Sequence, residues 1–175
     1  MKLRLIPVMA VMLFLAGCEG EDVPYSGTIT LDNVLYESGS YYYALGLSFE
    51  EGKAVPTLPD ANRYDIVVPP GNEPSLSTNT FEPAFALMGE YGSESDAKNA
   101  FNALTAVGSA SYINIASPLK NNQVWVVRTR DRNDNKFRYA KIRTIQVTMD
   151  ITADPDYASC KLEWVYQPDG STQFP

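Results

Sequence analysis

The stretch that decides the fold is Gln123–Gln167, QVWVVRTRDRNDNKFRYAKIRTIQVTMDITADPDYASCKLEWVYQ. Its first eight residues alternate, with Trp125 and Val127 on one face and Val126, Arg128 and Arg130 on the other. That is the two-residue period of a strand. Asp131 to Lys136 is polar throughout and reads as a hairpin loop. Phe137 to Ile151 alternates again as one long strand. Its apolar phase slips between Ile142 and Ile145, which predicts a bulge or a bend. Asp154-Pro155-Asp156 marks a second turn. Ser159 to Gln167 then sets Cys160, Leu162, Trp164 and Tyr166 on one face. Three strands joined by short turns make a meander, closed by Pro168-Asp169-Gly170-Ser171.

Upstream, the same period recurs in shorter pieces. Thr28 to Leu31 alternates, as does the stretch into Val34 and Tyr36. Tyr41 to Leu47 is aromatic, with Tyr41, Tyr43 and Leu45 on one face. Val55 to Asn62 holds two prolines and reads as a loop. Arg63 to Val68 reads as a short strand, residues 69–80 as the longest loop, and Phe81 to Tyr91 as extended chain interrupted at Pro83. One helix stands out. Ser93 and Asp96 form an S-x-x-D start box, and Ala97, Ala100, Phe101, Leu104 and Val107 recur at helical spacing before Gly108. The expected fold is therefore mostly β, with antiparallel or mixed sheets in a single domain over residues 27–175 and about one α-helix near 94–107.

The N-terminus has a different character. Lys2 and Arg4 precede a 13-residue run, Leu5 to Gly17, that is apolar apart from Pro7. It is too short to span a bilayer, which takes about 20 residues, and reads as the apolar core of a signal peptide. The run ends in Leu15-Ala16-Gly17-Cys18, which resembles the lipobox of bacterial lipoproteins. That resemblance implies cleavage after residue 17, lipid on Cys18 and membrane attachment through acyl chains. Residues 18–26 then read as a lipidated cysteine and acidic tether. Glu19, Glu21 and Asp22 also resemble the surface-export signal of Bacteroidetes lipoproteins. The implied place is the cell envelope, at the outer membrane and exposed on its surface.

Composition removes much of chemistry. The chain of 175 residues has no histidine. That excludes Ser-His-Asp and Cys-His catalysis, HExxH zinc sites and histidine proton shuttles. The net charge is −7. Without residues 1–17, fourteen basic residues become twelve against 21 acidic ones, or −9. Such a domain is a poor partner for nucleic acid. With Cys18 lipidated, Cys160 has no partner for an internal disulfide, and its apolar alternating segment predicts a buried, inert thiol.

The C-terminal third resembles the closing hairpins of the HmuY-like lipoproteins of Bacteroidetes. The resemblance rests on Tyr139-Ala140-Lys141-Ile142 and on Tyr166-Gln167-Pro168-Asp169-Gly170-Ser171. Tyr41-Tyr42-Tyr43, Gly52-Lys53 and Tyr64-Asp65-Ile66 agree more loosely, and residues 69–120 do not align. The resemblance implies an all-β lipoprotein that binds haem and passes it to an outer-membrane transporter. Family members hold the iron between histidines, or in some cases methionines. This chain departs completely from the histidine pattern.

Candidate ligands follow from that departure. Met88 and Met149 are the methionines left after processing, and thioethers can ligate haem iron. Each also reads as core filler, Met149 because Ile145, Val147, Met149 and Ile151 alternate on one face. Tyr41, Tyr42, Tyr43, Tyr91 and Tyr112 are candidates by residue type, since a phenolate binds ferric haem. Asp131 to Asn135 resembles the opening of a calcium loop, but Lys136 and Ile142 stand where glycine and glutamate are required. No metal site is expected. Arg128, Arg130, Arg132, Arg138, Lys141 and Arg143 offer either a basic face for propionates or a partner's carboxylates, or a solvated face paired with the acidic half. Glu50, Glu51, Glu82 and Glu90 mark no hydrolase pair. The expectation is non-catalytic binding of haem or a porphyrin, with adhesion to a protein or glycan through residues 69–120 as the alternative.

Overall fold

The computed structural model describes residues 25–60, 63–80, 82–153 and 156–175. The signal segment, Cys18 and most of the expected tether lie outside them. The elements in chain order are β1 (Ser26–Asp32), β2 (Tyr36–Ser38), β3 (Tyr41–Tyr43), β4 (Leu45–Ser48), β5 (Lys53–Pro56), β6 (Ile66–Val67), β7 (Leu76–Thr78) and β8 (Phe85–Glu90). Then come α1 (Glu94–Ala103), β9 (Ile115–Ala116), β10 (Gln123–Arg130), β11 (Phe137–Asp150) and β12 (Tyr157–Gln167). The fold is mostly β, and every strand pairing is antiparallel.

The meander forms the centre of one sheet, in the order β1-β12-β11-β10-β8. Its register shifts between Thr144 and Gln146, where the apolar phase slipped in the sequence. A second sheet runs β5-β4-β6-β7-β9. The inner face of the meander, with Trp125, Ile142, Leu162 and Trp164, packs on Leu47, Phe49, Ile66 and Leu76 of the second sheet region in one apolar core. Phe49 stacks on Tyr166 at 5.6 Å and tilts against Trp164 at 5.8 Å. Full burial of such side chains stabilises the fold by roughly 1.5–3 kcal/mol each. Gly46 lets the second sheet close. A Cβ there would lie 2.7 Å from Tyr64 Cβ and 2.9 Å from the Ile66 carbonyl oxygen.

Three expectations change. Val55 and Pro56, expected to open a loop, instead belong to the strand Lys53–Pro56. Pro56 fits because β5 is a sheet edge, where its missing N–H costs no ladder bond. Residues 76–78 also form a strand, anchored by the fully buried Leu76. The helix starts as expected, with the Ser93 Oγ accepting from the Asp96 N–H. It ends at Ala103, four residues before Val107. The chain turns away because the C-terminal tail offers other partners: Val107 N–H donates to the Thr172 carbonyl (2.7 Å) and Phe174 N–H to the Thr105 carbonyl (2.9 Å).

The helix lies on the outer face of the meander. Its last turn has no cation of its own. Lys141 supplies one from β11, donating to the carbonyls of Phe101 (3.0 Å) and Leu104 (2.9 Å), where the helix dipole is negative. Arg143 and Lys98 join the helix to the sheet through Glu163, and Arg143 also reaches Glu94. Burial pushes the Glu163 carboxyl up, but hydrogen bonds from Lys98 and Arg143 outweigh it and hold the group below its ordinary range.

Along its length the meander has two distinct ends. Tyr25 packs on Tyr166 near the β10–β11 loop, and β1 carries the chain from there to Asn33 beside the β11–β12 turn.

Candidate apolar cleft at the end of the sandwich

The link between β1 and β2 is fastened to the β11–β12 turn. Asn33 Nδ2 donates to the Asp156 carbonyl at 2.8 Å, and Asn33 Oδ1 accepts from Ala158 N–H at 2.9 Å. The backbone N–H of Asn33 donates to the Ala158 carbonyl at 3.1 Å. With Asn33 so engaged, the residues after it are forced outward. A cleft of about 470 Å³ opens there, lined by Asn33, Val34, Leu35, Asp150, Ala153, Asp156 and Tyr157. That volume falls within the range of small-molecule sites, and most of the wall is apolar.

The surroundings of the cleft are unusually apolar for a surface. Leu35 is 53% exposed and Ile151 67%, although the alternation in β11 predicts Ile151 on the core face. Ile151 falls in the turn after β11 ends, so no sheet covers it. The β2–β3 hairpin follows, with Tyr36 stacked on Tyr43 at 5.8 Å and Tyr41 tilted against Tyr43 at 6.4 Å. Tyr42 is exposed. An isolated two-stranded hairpin is marginal in water, and these rings supply its cohesion. The charge here is negative. Asp150 accepts from both the N–H and the hydroxyl of Thr152, which holds its carboxyl below the usual range. Neither 32–43 nor 145–160 contains a lysine or arginine.

The methionine pair does not assemble. Met149 is partly buried against the inner core with Val147. Met88 is on the opposite face of the same sheet, beside the helix, where it lines a smaller cavity of about 310 Å³ with Tyr91, Ala100, Ala103, Leu104 and Val124. With the sheet between them, the two sulfurs cannot share one iron, and neither lines the end cleft. Met88 is also 36% exposed, so it is not core filler.

Of the tyrosines, Tyr41, Tyr42 and Tyr43 form β3 of the hairpin that follows Leu35 and do not line the cleft, and Tyr91 lies with Met88. Tyr112 packs on the outer face near Tyr139, its hydroxyl buried without a hydrogen-bond partner among the described residues. Tyr157, which lines the cleft, was not among the sequence candidates. The alternation expected into Val34 and Tyr36 does not carry through: Val34, Leu35 and Tyr36 are all exposed, an apolar run that cannot all face a core, and Tyr157 meets it from across the sheet.

The cations do not form a free basic face. Arg130 pairs with Glu82, Arg132 with Glu50, Arg138 with Asp131 and Asp134, and Arg143 with Glu94 and Glu163. The Asp131–Asn135 loop spends its carboxylates on Arg138 and on backbone amides. Among the described residues no group of three or more Cys, Asp or Glu side chains is arranged to hold a metal ion. Cys160 is buried in the core, and burial pushes its thiol up to about 12. Residues 69–120 supply β7, β8, α1 and β9, so they are built into the sheets rather than set apart as an insert.

Fold and cleft together define, among the described residues, an antiparallel β protein of two five-stranded sheets and a separate two-stranded hairpin, with one helix on an outer face and an apolar cleft at one end. No protein-family model matches the chain, and no curated protein matches it.

Proposed function

We propose that the protein is a non-catalytic cell-envelope lipoprotein whose folded domain captures a flat, largely apolar ligand in the end cleft. The cleft itself carries this reading: about 470 Å³, walled by Val34, Leu35, Ala153 and Tyr157, with exposed rings beside it. Haem or a related porphyrin is the first ligand to test, on the resemblance of Tyr139-Ala140-Lys141-Ile142 and the Tyr166–Ser171 strand end to the HmuY-like lipoproteins. Handover to an outer-membrane transporter belongs to the same reading. Tyr157, which lines the cleft, would supply an oxygen donor for ferric iron. Asp150 and Asp156 would repel a porphyrin's propionates at the cleft wall.

Haemin titration of the full chain in detergent tests this. A saturable Soret change is expected, lost in Tyr157→Phe and kept in Met88→Ala and Met149→Ala. No change beyond that of an unrelated β protein rules out haem. A saturable change that survives Tyr157→Phe rules out the tyrosine ligand. The exposed Tyr36 and Tyr42 favour a second reading, adhesion to a protein or glycan through the hairpin. Saturable glycan or protein binding without a haem spectrum would support it.

A further inference from the structure

Six arginines lie among the described residues, and five have a carboxylate within 4.0 Å. Arg128 is the exception. In a chain with 21 acidic and 14 basic residues, an arginine left without a carboxylate is the less expected outcome. Its guanidinium is nevertheless held in place. It lies 4.2 Å from the ring centre of Tyr112 and 4.6 Å from that of Phe137, and its Nε–H donates to the Pro83 carbonyl at 2.8 Å. The two rings displace water from the cation's faces, which leaves its Nη edge as the place where the charge can be met.

The neighbours are already committed. Arg130 lies 4.3 Å from the ring centre of Phe137, but it donates to both oxygens of Glu82 and to the Asn135 carbonyl. Arg128 contributes to holding the Glu82 carboxyl low, yet Glu82 is spent on Arg130. Beside this arginine the surface is apolar. Ile113, next to Tyr112, is 45% exposed and bonds across to Ala84 and Phe85, and the Arg128 N–H donates to the Ala84 carbonyl. A fixed arginine among tyrosine, phenylalanine and isoleucine has the composition of an interface hot spot.

We propose that Arg128, Tyr112, Phe137 and Ile113 form a docking point for an acidic peptide segment of a partner protein. One carboxylate meets the Nη edge of Arg128 in a forked pair, and an adjacent aromatic or aliphatic side chain covers Ile113 and Tyr112. Charge selects this partner over nucleic acid or an anionic lipid surface, which need several free cations where this patch has one beside Glu82. The site is separate from the end cleft and stands or falls independently of it.

The probe is a random dodecapeptide library displayed on phage, selected on the full chain in detergent. Enriched peptides are expected to carry Asp or Glu next to an aromatic or aliphatic residue. Such a peptide, synthesised, is expected to bind Arg128→Gln and Arg128→Lys about tenfold or more weakly, and to bind Tyr157→Phe unchanged. Unaltered tryptophan fluorescence checks the fold of each variant. If Arg128→Gln fails to fold, Arg128→Lys decides, since it keeps the charge and removes the fork. No enrichment, enrichment of peptides without an acid, or acidic peptides that bind both variants as well as the parent would overturn the proposal. Displacement of the peptide by inorganic phosphate binding with the same Arg128 dependence would reduce the site to a simple anion site and also overturn it.

Discussion

Replacing Asp65 by asparagine should change how stability depends on pH. Asp65 is 7% exposed, just before β6. Its Oδ2 accepts the Phe49 N–H at 2.7 Å, and its Oδ1 is 3.8 Å from Arg132 Nη2. Burial pushes its carboxyl up to about 6 from an ordinary 3.8, against the downward pull of the Phe49 bond and Arg132. The folded state therefore keeps this proton to higher pH than the unfolded chain. The stabilisation is complete below about pH 4 and is lost as pH rises through about 6. Two pH units correspond to about 3 kcal/mol, an upper bound for one group. Asparagine keeps an oxygen for Phe49 and cannot ionise, so it should gain on the parent by up to that amount between pH 4 and 7. Urea unfolding followed by Trp125 and Trp164, both 2% exposed, reads the difference directly. Carboxylates held low elsewhere, such as Glu51 and Glu163, tilt both curves alike and cancel. A stability difference that stays constant from pH 4 to 7 would refute the reasoning.

Lys141→Ala should cost about 2–4 kcal/mol, because it leaves the Phe101 and Leu104 carbonyls without their donor and opens a void between the Phe101 and Phe174 rings. Faster amide exchange in the last turn of α1 would locate the damage, and unchanged exchange there would count against a capping role. Gly46→Ala should destabilise by about 1–3 kcal/mol through overpacking against Tyr64 and the Ile66 carbonyl, as measured by the urea midpoint. Cys160 should react with a thiol reagent only at the rate of unfolding, its thiol being buried and raised to about 12. Fast modification of the native protein would show that β12 opens locally.

The meander was legible because each of its strands is long enough for alternation to repeat. Even the bulge near Thr144 showed as a slip in phase. Short strands such as β7, with three residues, and β9, with two, hold too little of the period, so only pairing reveals them, whereas β6 falls inside the strand read at Arg63 to Val68. Pro56 hid β5 because an edge position cannot be read from one strand alone. The helix end was misplaced because Val107 keeps helical spacing while its N–H is taken by Thr172. The cleft was the least legible part. Val34 and Tyr157 are more than a hundred residues apart, and the hydrogen bonds of Asn33 bring them together. The methionines failed as a pair because a list of residues does not say which face of a sheet each one takes.

The course of β1 separates two electrical environments. Eight residue steps separate Tyr25 from Asn33, about 25 Å of extended chain. At physiological ionic strength that is about three Debye lengths. A charged surface holding the residues upstream of Tyr25 would be screened almost completely at the cleft. The potential an arriving ligand meets there is set by Asp150, Asp156 and their neighbours, and it should be the same whether the domain stands on a membrane, a bead or a sensor chip.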